Sequence, residues 1–127
     1  MKSSKNKIYL SIVVPTYNRL YSLKKFLLPS LNVQNYINFE LIIIDDASSD
    51  KTLSYLKSPS FKKEFKNISR KTIVLSNKKN LGAPSSRNIG VLKARGKWIF
   101  IAEDDIEIKD TSFLSKAIAE TLKLNKK

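Results

Sequence analysis

The fold of this chain is decided by the stretch Trp98-Ile99-Phe100-Ile101-Ala102-Glu103-Asp104-Asp105, in which an apolar run ends in three consecutive acids. A run of this kind is typical of a strand buried inside a sheet, and such a strand would carry the three carboxylates at its C-terminal end. The chain has a formal net charge of +13, so a concentration of acids beside a core strand requires a reason. A bound divalent metal ion is one such reason.

The composition favours one folded domain spanning residues 1–127. The chain has 42% apolar and 28% charged residues, and domains usually run from about 100 to 200 residues. Its longest apolar runs are far short of the roughly 20 residues that cross a bilayer, and we expect no secretory leader. There is no Cys and no His. Disulfides, thiolate or imidazole catalysis and zinc sites built from these residues are therefore excluded.

Strands and helices are expected to alternate along the chain. Apolar runs predict strands at 8–14, 39–44, 72–75 and 97–102. Pro15 is expected to end the first strand, Asn18 to cap the following helix, and Pro29 to kink or end that helix near Leu28. Further helices are expected between a cap at Ser48 or Ser49 and Pro59, over a short amphipathic segment within 61–70, and over 83–95 and 111–124.

This alternation predicts an α/β fold with a mostly parallel four-stranded sheet, right-handed crossovers and helices on both faces. In such open sheets, ligands bind outside the carboxyl ends of the strands, near the point where the strand order reverses. Three of the four predicted strands end in polar motifs. We therefore expect one crevice formed by Pro15-Thr16-Tyr17-Asn18, Asp45-Asp46 and Glu103-Asp104-Asp105.

The acidic triplet is a candidate metal site. If it stays extended, Glu103 and Asp105 point to one side and Asp104 to the other. Mg²⁺ or Mn²⁺ held by one or two carboxylates, with phosphates and waters as the other ligands, fits this pattern. The alternative is an acidic turn that caps the next helix, a role for which Asp110 and Thr111 are also suited.

The pair Asp45-Asp46 has two interpretations that the sequence leaves open. One or both carboxylates could accept hydrogen bonds from a nucleobase imide or a ribose hydroxyl. Alternatively, Asp45 and Ser48 suit a turn closed by a side chain and the cap of a short helix. Both roles can coexist on adjacent residues.

The helix that begins near Ala83 is a candidate anion site. Its first backbone N–H groups and the positive end of its dipole are preceded by Lys78 and Lys79 and followed one turn later by Arg87. The sequence contains neither a Walker loop nor a dinucleotide-binding glycine pattern. The structural alternative is that Gly90 lets this helix pack closely on the sheet.

The ordered motifs resemble those of glycosyltransferase family 2 over roughly residues 8–110. Each motif is weak alone, but their order and spacing are specific to that family. The motifs are 13–19 (VVPTYNR), 39–50 (FELIIIDDASSD), 80–82 (NLG) with 87–90 (RNIG), 96–99 (GKWI) and 103–105 (EDD).

The resemblance implies a Rossmann-like GT-A fold that binds a nucleoside-diphosphate sugar, with a UDP-sugar favoured, and transfers the sugar with inversion. By position in the motifs, Pro15, Thr16 and Tyr17 would line the nucleotide pocket, with Tyr17 against the base. Asp46, together with Asp45, would bind the base or ribose.

The remaining motif positions concern the metal and the donor. The resemblance implies that Asp105 holds Mn²⁺ or Mg²⁺ bridging the diphosphate, with Glu103 as a second candidate ligand. Asp104 would contact the ribose or donor sugar, and Arg87 would lie near the donor. The family usually has Asp at the position of Glu103 or of Ala102, so this chain departs from the pattern there.

The family's acceptor-binding half and general base lie C-terminal to the acidic signature, and we find no candidate for that base in this sequence. The resemblance therefore implies a donor-binding half, truncated after the acidic metal motif and missing its C-terminal acceptor half. The acceptor would be a glycan or lipid-linked glycan. The expected location is the cytoplasm, including peripheral association with the cytoplasmic face of the membrane.

Two alternatives from other classes follow from the charge. The chain has 24 Lys and Arg residues against 11 acids, a balance that suits a basic nucleic-acid-binding α/β module without catalytic activity. It also suits a stand-alone domain that binds anionic lipid through a lysine-rich face. The sequence carries no recognisable nucleic-acid-binding motif, so we favour the glycosyltransferase interpretation, in which nucleic acid is not a partner.

Overall fold

Four parallel strands form the sheet of this protein. The computed structural model describes residues 7–124. Every neighbouring pair of strands is parallel, and the strand order is β3-β2-β1-β4. The predicted α/β class with a parallel four-stranded sheet is confirmed. The strands are β1 Leu10–Thr16, β2 Phe39–Asp45, β3 Thr72–Ser76 and β4 Trp98–Ile101.

Within residues 7–124, six helices connect and follow these strands. The first, α1, consists of three consecutive segments, Leu20–Ser22, the π-helical Leu23–Leu27, and Leu28–Asn32. The segment predicted within 61–70 forms two short helices instead of one. The other helices are α2 Thr52–Leu56, α3 Pro59–Glu64, α4 Lys66–Ser69, α5 Ala83–Lys93 and α6 Phe113–Leu124.

The strand order reverses at β1. The chain runs outward from β1 through β2 to β3, and then returns to place β4 on the other side of β1. The connection that leaves the carboxyl end of β1 therefore leads towards β2 and away from β4, which lies on the other side of β1. In open α/β sheets this is where a ligand crevice forms.

Helices cover both faces of the sheet. On one face, Ile12, Val14, Leu41 and Ile43 pack in the core cluster that contains the apolar side of α1. On the other face, α5 lies over Val13, Ile42 and Ile44. A Cβ atom at Gly90 would come within 2.5 Å of Val13 and 2.6 Å of Ile44. Gly90 therefore has the packing role that was one of the two alternatives for this helix.

Strand β1 continues through Pro15, so the prediction that Pro15 ends the strand was wrong. The pairing between β1 and β4 stops at Val13 and Ile101, whereas the pairing with β2 continues to Thr16. Backbone groups of Pro15 face the same side as those of Val13, towards β4. Because β4 has already ended there, the missing N–H of proline removes no hydrogen bond.

Helix α1 continues through Pro29 to Asn32, so of the two predicted outcomes, a kink or an end near Leu28, the end was wrong. Proline cannot donate to the carbonyl four residues earlier, and its ring crowds that turn. The wider π-helical turn at Leu23–Leu27 lies directly before Pro29 and relieves this crowding. The hydroxyl of Ser30 donates to the carbonyl of Phe26 at 2.7 Å and supplies a bond to this turn.

Strand β4 is an edge strand of the described sheet, so the prediction that this apolar run is buried inside the sheet was wrong. The side chains of Ile99 and Ile101 lie on the face that α5 leaves uncovered there, and they are 41% and 43% exposed.

A long apolar helix that could span a membrane is not found within residues 7–124.

We expect Gly96→Ala to lower the free energy of unfolding by about 3 kcal/mol, since overpacking against rigid atoms carries costs of this size. A Cβ atom at Gly96 would lie 2.6 Å from the backbone nitrogen of Ser11. Backbone atoms cannot turn away, so β4 would have to move off β1. Urea denaturation measures the effect.

The matched control for this prediction is Gly90→Ala. Its Cβ would meet only the side-chain ends of Val13 and Ile44, which can rotate, and alanine also gains helix propensity over glycine. The loss should therefore be smaller. Equal losses in the two variants would contradict the proposed backbone clash at Gly96.

Candidate functional site

A cavity of about 280 Å³ lies at the carboxyl ends of β1 and β4. It brings together side chains from all three polar motifs, as the sequence predicts. Seven of the nine predicted site residues line it, whereas Asp45 and Asp105 do not. The lining residues are Pro15, Thr16, Tyr17, Arg19, Asp46, Ala83, Arg87, Ile101, Ala102, Glu103 and Asp104.

Asp104 lines this cavity and is held by one residue at the end of β1 and one just after it. The hydroxyl of Thr16 donates to its Oδ2 at 2.9 Å, and Nε of Arg19 lies 3.6 Å from its Oδ1. Burial is the largest influence on Asp104 and raises its pKa, and the charges of Asp105 and Glu103 add to this effect. Thr16 and Arg19 oppose the rise but do not cancel it. Asp104 is therefore a fixed carboxyl group that resists ionisation more than an exposed Asp.

Asp105 and Glu103 are more accessible to solvent. The side chain of Asp105 is 50% exposed, and its Oδ2 lies 3.1 Å from Nη2 of Arg19. Glu103 is exposed at the rim of the cavity. Within residues 7–124, no three acidic side chains are grouped so as to hold a metal ion by themselves. One or two carboxylates with phosphates and waters as further ligands suit Mg²⁺ or Mn²⁺, and the oxygen donors present here fit that requirement.

The turn before the last helix is stabilised by Asp110 and not by the acidic triplet. The backbone N–H of Ser112 donates to Oδ1 of Asp110 at 2.9 Å, and the ammonium group of Lys116 lies 2.8 Å from its other oxygen. These bonds hold the pKa of Asp110 well below its usual range. Asp110, and not the triplet, therefore has the capping role that was the alternative interpretation of the triplet.

Asp45 and Asp46 have different roles despite being adjacent. Asp45 is buried and accepts hydrogen bonds from the backbone N–H of Ser48 at 3.1 Å and from its hydroxyl at 2.6 Å. This is the side-chain-closed turn that was one alternative for the pair. Asp46 faces the cavity. The turn is therefore found on Asp45, and the nucleotide contact stays a prediction for Asp46.

Asp46 connects the end of β2 to the start of α5. It is 3% exposed and accepts hydrogen bonds from Nδ2 of Asn77 at 2.8 Å, the N–H of Leu81 at 2.8 Å and the N–H of Gly82 at 2.9 Å. Burial would raise its pKa, but the bonds from Leu81, Asn77 and Gly82, with Ser86, outweigh burial and lower it. The carboxylate therefore stays ionised and fixes the loop that precedes α5.

Asn18 does not cap α1, contrary to the prediction. Its backbone is left-handed, with φ of 53°, and its Oδ1 accepts from the N–H groups of Ser49 at 2.7 Å and Asp50 at 3.1 Å. The expected cap of α2 at Ser48 or Ser49 was also wrong, because Oδ1 of Asp50 accepts from the N–H of Thr52. Asn18 instead ties the loop after β1 to the loop after β2, which positions Tyr17 and Arg19 on either side of it.

Arg87 supplies positive charge to the other wall of the cavity. It lies one turn into α5, is half-buried and lines the cavity. In the described part of the chain, no carboxylate lies within ion-pair distance of it, and Lys78 and Lys79 are exposed just before the helix. The guanidinium of Arg87 is thus available to an anionic ligand.

Arg19 is the site residue for which the sequence suggested no role. It contacts both Asp104 and Asp105, which are far away in sequence. Its position directly after the polar motif of β1 was the available signal. Only the pairing of β1 with β4 shows that this motif and the acidic triplet are neighbours.

Comparison with known protein families gives a match to the glycosyl transferase family 2 model over residues 11–126. Among curated relatives, an uncharacterized glycosyltransferase of Haemophilus influenzae is 38% identical over 96 residues, covering 76% of this chain and 29% of that protein. The dolichyl-phosphate beta-glucosyltransferase of Trichomonas vaginalis is 30% identical over 125 residues, covering 91% of this chain and 37% of that protein.

Solved structures share the same fold. The S. aureus TarS structure in complex with UDP-GlcNAc is similar with a TM-score of 0.74 and 27% identity, over 88% of this chain and 30% of that chain. A mannosyltransferase from Pyrobaculum calidifontis, in complex with GDP-Man and Mn²⁺, has a TM-score of 0.75 and 21% identity, over 86% of this chain and 31% of that chain.

This chain spans less than half the length of each of these proteins. The family match nevertheless covers nearly all of it, and it covers every motif that lines the cavity. The chain therefore belongs to glycosyl transferase family 2 and has the GT-A fold.

Proposed function

We propose that this chain is the donor-binding half of an inverting glycosyltransferase and that it binds a nucleoside-diphosphate sugar between the carboxyl ends of β1 and β4. The observation that carries the proposal is the meeting of three polar motifs in one cavity at the point where strand order reverses. A UDP-sugar is the favoured donor, which agrees with the UDP-GlcNAc bound to S. aureus TarS at 27% identity.

The nucleotide would lie against the loop after β1. Tyr17, which is 48% exposed, offers its ring face to the base, while Pro15 and Thr16 form the wall beside it. Asp46 lines the cavity beside this wall and would bind the base or ribose. Asp45 would support this arrangement through its turn.

The diphosphate would lie between the acidic triplet and α5. Asp105, with Glu103, would hold a divalent ion, Mn²⁺ or Mg²⁺, which supplies Lewis-acid neutralisation of the leaving diphosphate when bound. Arg87 and the N-terminal end of α5 provide positive charge from the opposite wall. Asp104, which Thr16 holds towards the cavity, would contact the ribose or donor sugar.

The acceptor and the general base would be provided by polypeptide beyond these residues. The chain spans about a third of the length of its relatives, so transfer itself is a property proposed for the longer protein. The proposed acceptor is a glycan or lipid-linked glycan. The proposed location is the cytoplasm, with peripheral association at the cytoplasmic face of the membrane.

Calorimetric titration with UDP and with GDP, each with and without Mn²⁺, tests this proposal. We expect a UDP complex that forms with Mn²⁺ and is markedly weaker without it, because the diphosphate then faces unneutralised carboxylates. Binding that is independent of metal would contradict the proposal. Binding to duplex or single-stranded nucleic acid with a steep salt dependence, in place of nucleotide binding, would support the basic-module alternative.

A further inference from the structure

Arg19 is the one cation within ion-pair distance of the acidic triplet in residues 7–124. Its Nη2 lies 3.1 Å from Oδ2 of Asp105, and its Nε lies 3.6 Å from Oδ1 of Asp104. Its side chain is 46% exposed. One guanidinium therefore spans two adjacent carboxylates at the mouth of the cavity.

The electrostatic reason for this contact is repulsion within the triplet. Three consecutive acids raise each other's cost of ionisation, and the pKa of Asp104 is raised by burial, with the charges of Asp105 and Glu103 adding to it. Arg19 offsets part of this repulsion. Its guanidinium places positive charge beside the carboxylates that would hold a metal ion.

The backbone of Arg19 is held by hydrogen bonds, while its side chain is half exposed. The carbonyl of Arg19 accepts from the N–H of Leu23 at 3.0 Å, and the preceding Asn18 is bonded to Ser49 and Asp50. The half-exposed guanidinium makes only its two carboxylate contacts. Exposed ion pairs of this kind are weak and break at little cost.

The same carboxylate cannot serve Arg19 and a divalent cation equally. Asp105 is the proposed metal ligand, and its Oδ2 is the atom nearest to the guanidinium. A metal ion at Asp105 would repel the guanidinium at a distance of a few ångströms. Arg19 also lines the cavity, and a planar guanidinium binds phosphate oxygens in pairs. A displaced Arg19 therefore has an anionic partner within reach once a diphosphate is present.

We infer that Arg19 is an exchangeable counter-ion: it pairs with Asp104 and Asp105 before metal and nucleotide bind and transfers to the diphosphate when they do. This inference rests on the proposed function. Arg19 is a positioning residue in this scheme. Its transfer makes metal and nucleotide each favour the other's binding. The diphosphate gives the displaced guanidinium a new partner, and the metal frees the guanidinium to bind the diphosphate.

The test measures Mn²⁺ affinity directly, from the electron paramagnetic resonance signal of the free ion, with and without UDP. Without UDP, we expect Arg19→Met to bind Mn²⁺ more tightly than the wild type, by up to about fivefold, which is the range for one exposed ion pair. UDP should then raise the Mn²⁺ affinity of Arg19→Met less than that of the wild type. Arg19→Lys, which keeps the charge but cannot span both carboxylates, should lie between them.

The matched control is Arg70→Met, which removes an exposed arginine at the opposite end of the sheet and should leave Mn²⁺ affinity unchanged. Unchanged or weaker Mn²⁺ binding by Arg19→Met would overturn the inference, as would an undiminished effect of UDP. If the wild type binds no UDP with Mn²⁺, the proposed function fails, while the Mn²⁺ measurement without UDP still decides the counter-ion role. Arg19→Gln replaces Arg19→Met if thermal melting shows that the latter is unfolded.

Discussion

Asp105→Asn is expected to abolish the Mn²⁺-dependent part of UDP binding. Asparagine keeps the size of the side chain but removes the charge that would hold the ion. Loss of a residue that merely supports a metal ligand typically costs about 10- to 100-fold in metal affinity, so loss of the ligand itself should cost about 100-fold or more. Asp105 is half exposed and makes one ion pair with Arg19. The melting temperature of the Asp105→Asn variant should therefore stay close to that of the wild type.

The matched control for this variant is Glu120→Gln. Glu120 is an exposed acid on α6 whose recorded partner is Lys123, so its loss changes the net charge equally without touching the cavity. Calorimetric titration with UDP in saturating Mn²⁺ measures both variants. If Asp105→Asn binds UDP with the same metal dependence as the wild type, Asp105 is not the metal ligand.

Asp46→Ala is expected to lower the free energy of unfolding by about 3 to 5 kcal/mol and to weaken nucleotide binding. The substitution leaves the N–H groups of Leu81 and Gly82 and the amide of Asn77 without their acceptor. These hydrogen bonds are partly buried, and each donor left without its acceptor costs about 1–3 kcal/mol. The loop before α5 would then lose its attachment to β2, so the positive wall of the cavity would shift. Urea denaturation and UDP titration give the two readouts.

The contribution of the Asp46 carboxylate to stability should also appear as a dependence of the free energy of unfolding on acid pH. The hydrogen bonds lower the folded-state pKa of Asp46 despite its burial, so the unfolded chain binds more protons in the acid range. The stability that Asp46 contributes is therefore complete above its unfolded-state pKa and is lost as the pH falls through its folded-state pKa. Asp46→Ala should lose less stability than the wild type between pH 5 and about pH 2.

Asp50→Ala is the matched control for Asp46. Asp50 also accepts from a backbone N–H and a hydroxyl, but both belong to Thr52, within the same turn. Loss of such a local cap costs about 1 kcal/mol. If both variants lose stability equally, Asp46 has no special role in joining β2 to α5.

The strands of the sheet could be predicted because they depend on patterns of apolar residues within short stretches of the sequence. The continuous apolar runs that became β1 and β2 indicate strands covered on both faces, which the structure confirms. The similar run that became β4 lies at the sheet edge, with Ile99 and Ile101 exposed. Alternation of these runs with helical spacing indicates a parallel sheet, and the polar residues after three of the strands must then lie at one edge. Seven predicted site residues meet in one cavity for this reason.

The proline predictions failed because the cost of a proline depends on its neighbours in space. Pro15 is tolerated in β1 because β4 stops before reaching it, and Pro29 is tolerated in α1 because a π-helical turn precedes it. Neither condition can be read from the residues next to the proline. The prediction that Asn18 caps α1 failed for a similar reason, because its side chain accepts hydrogen bonds from the loop after β2 instead.

The sequence alone determined the order and type of the elements, the family, and the edge of the sheet at which the site lies. Only the tertiary structure decided that Asp45 closes a turn while Asp46 holds α5, and that Arg19 pairs with Asp104 and Asp105. The physical reason is the range of the interactions involved. Apolar periodicity acts between residues a few positions apart, whereas the partner of a polar side chain depends on how distant segments align in the sheet.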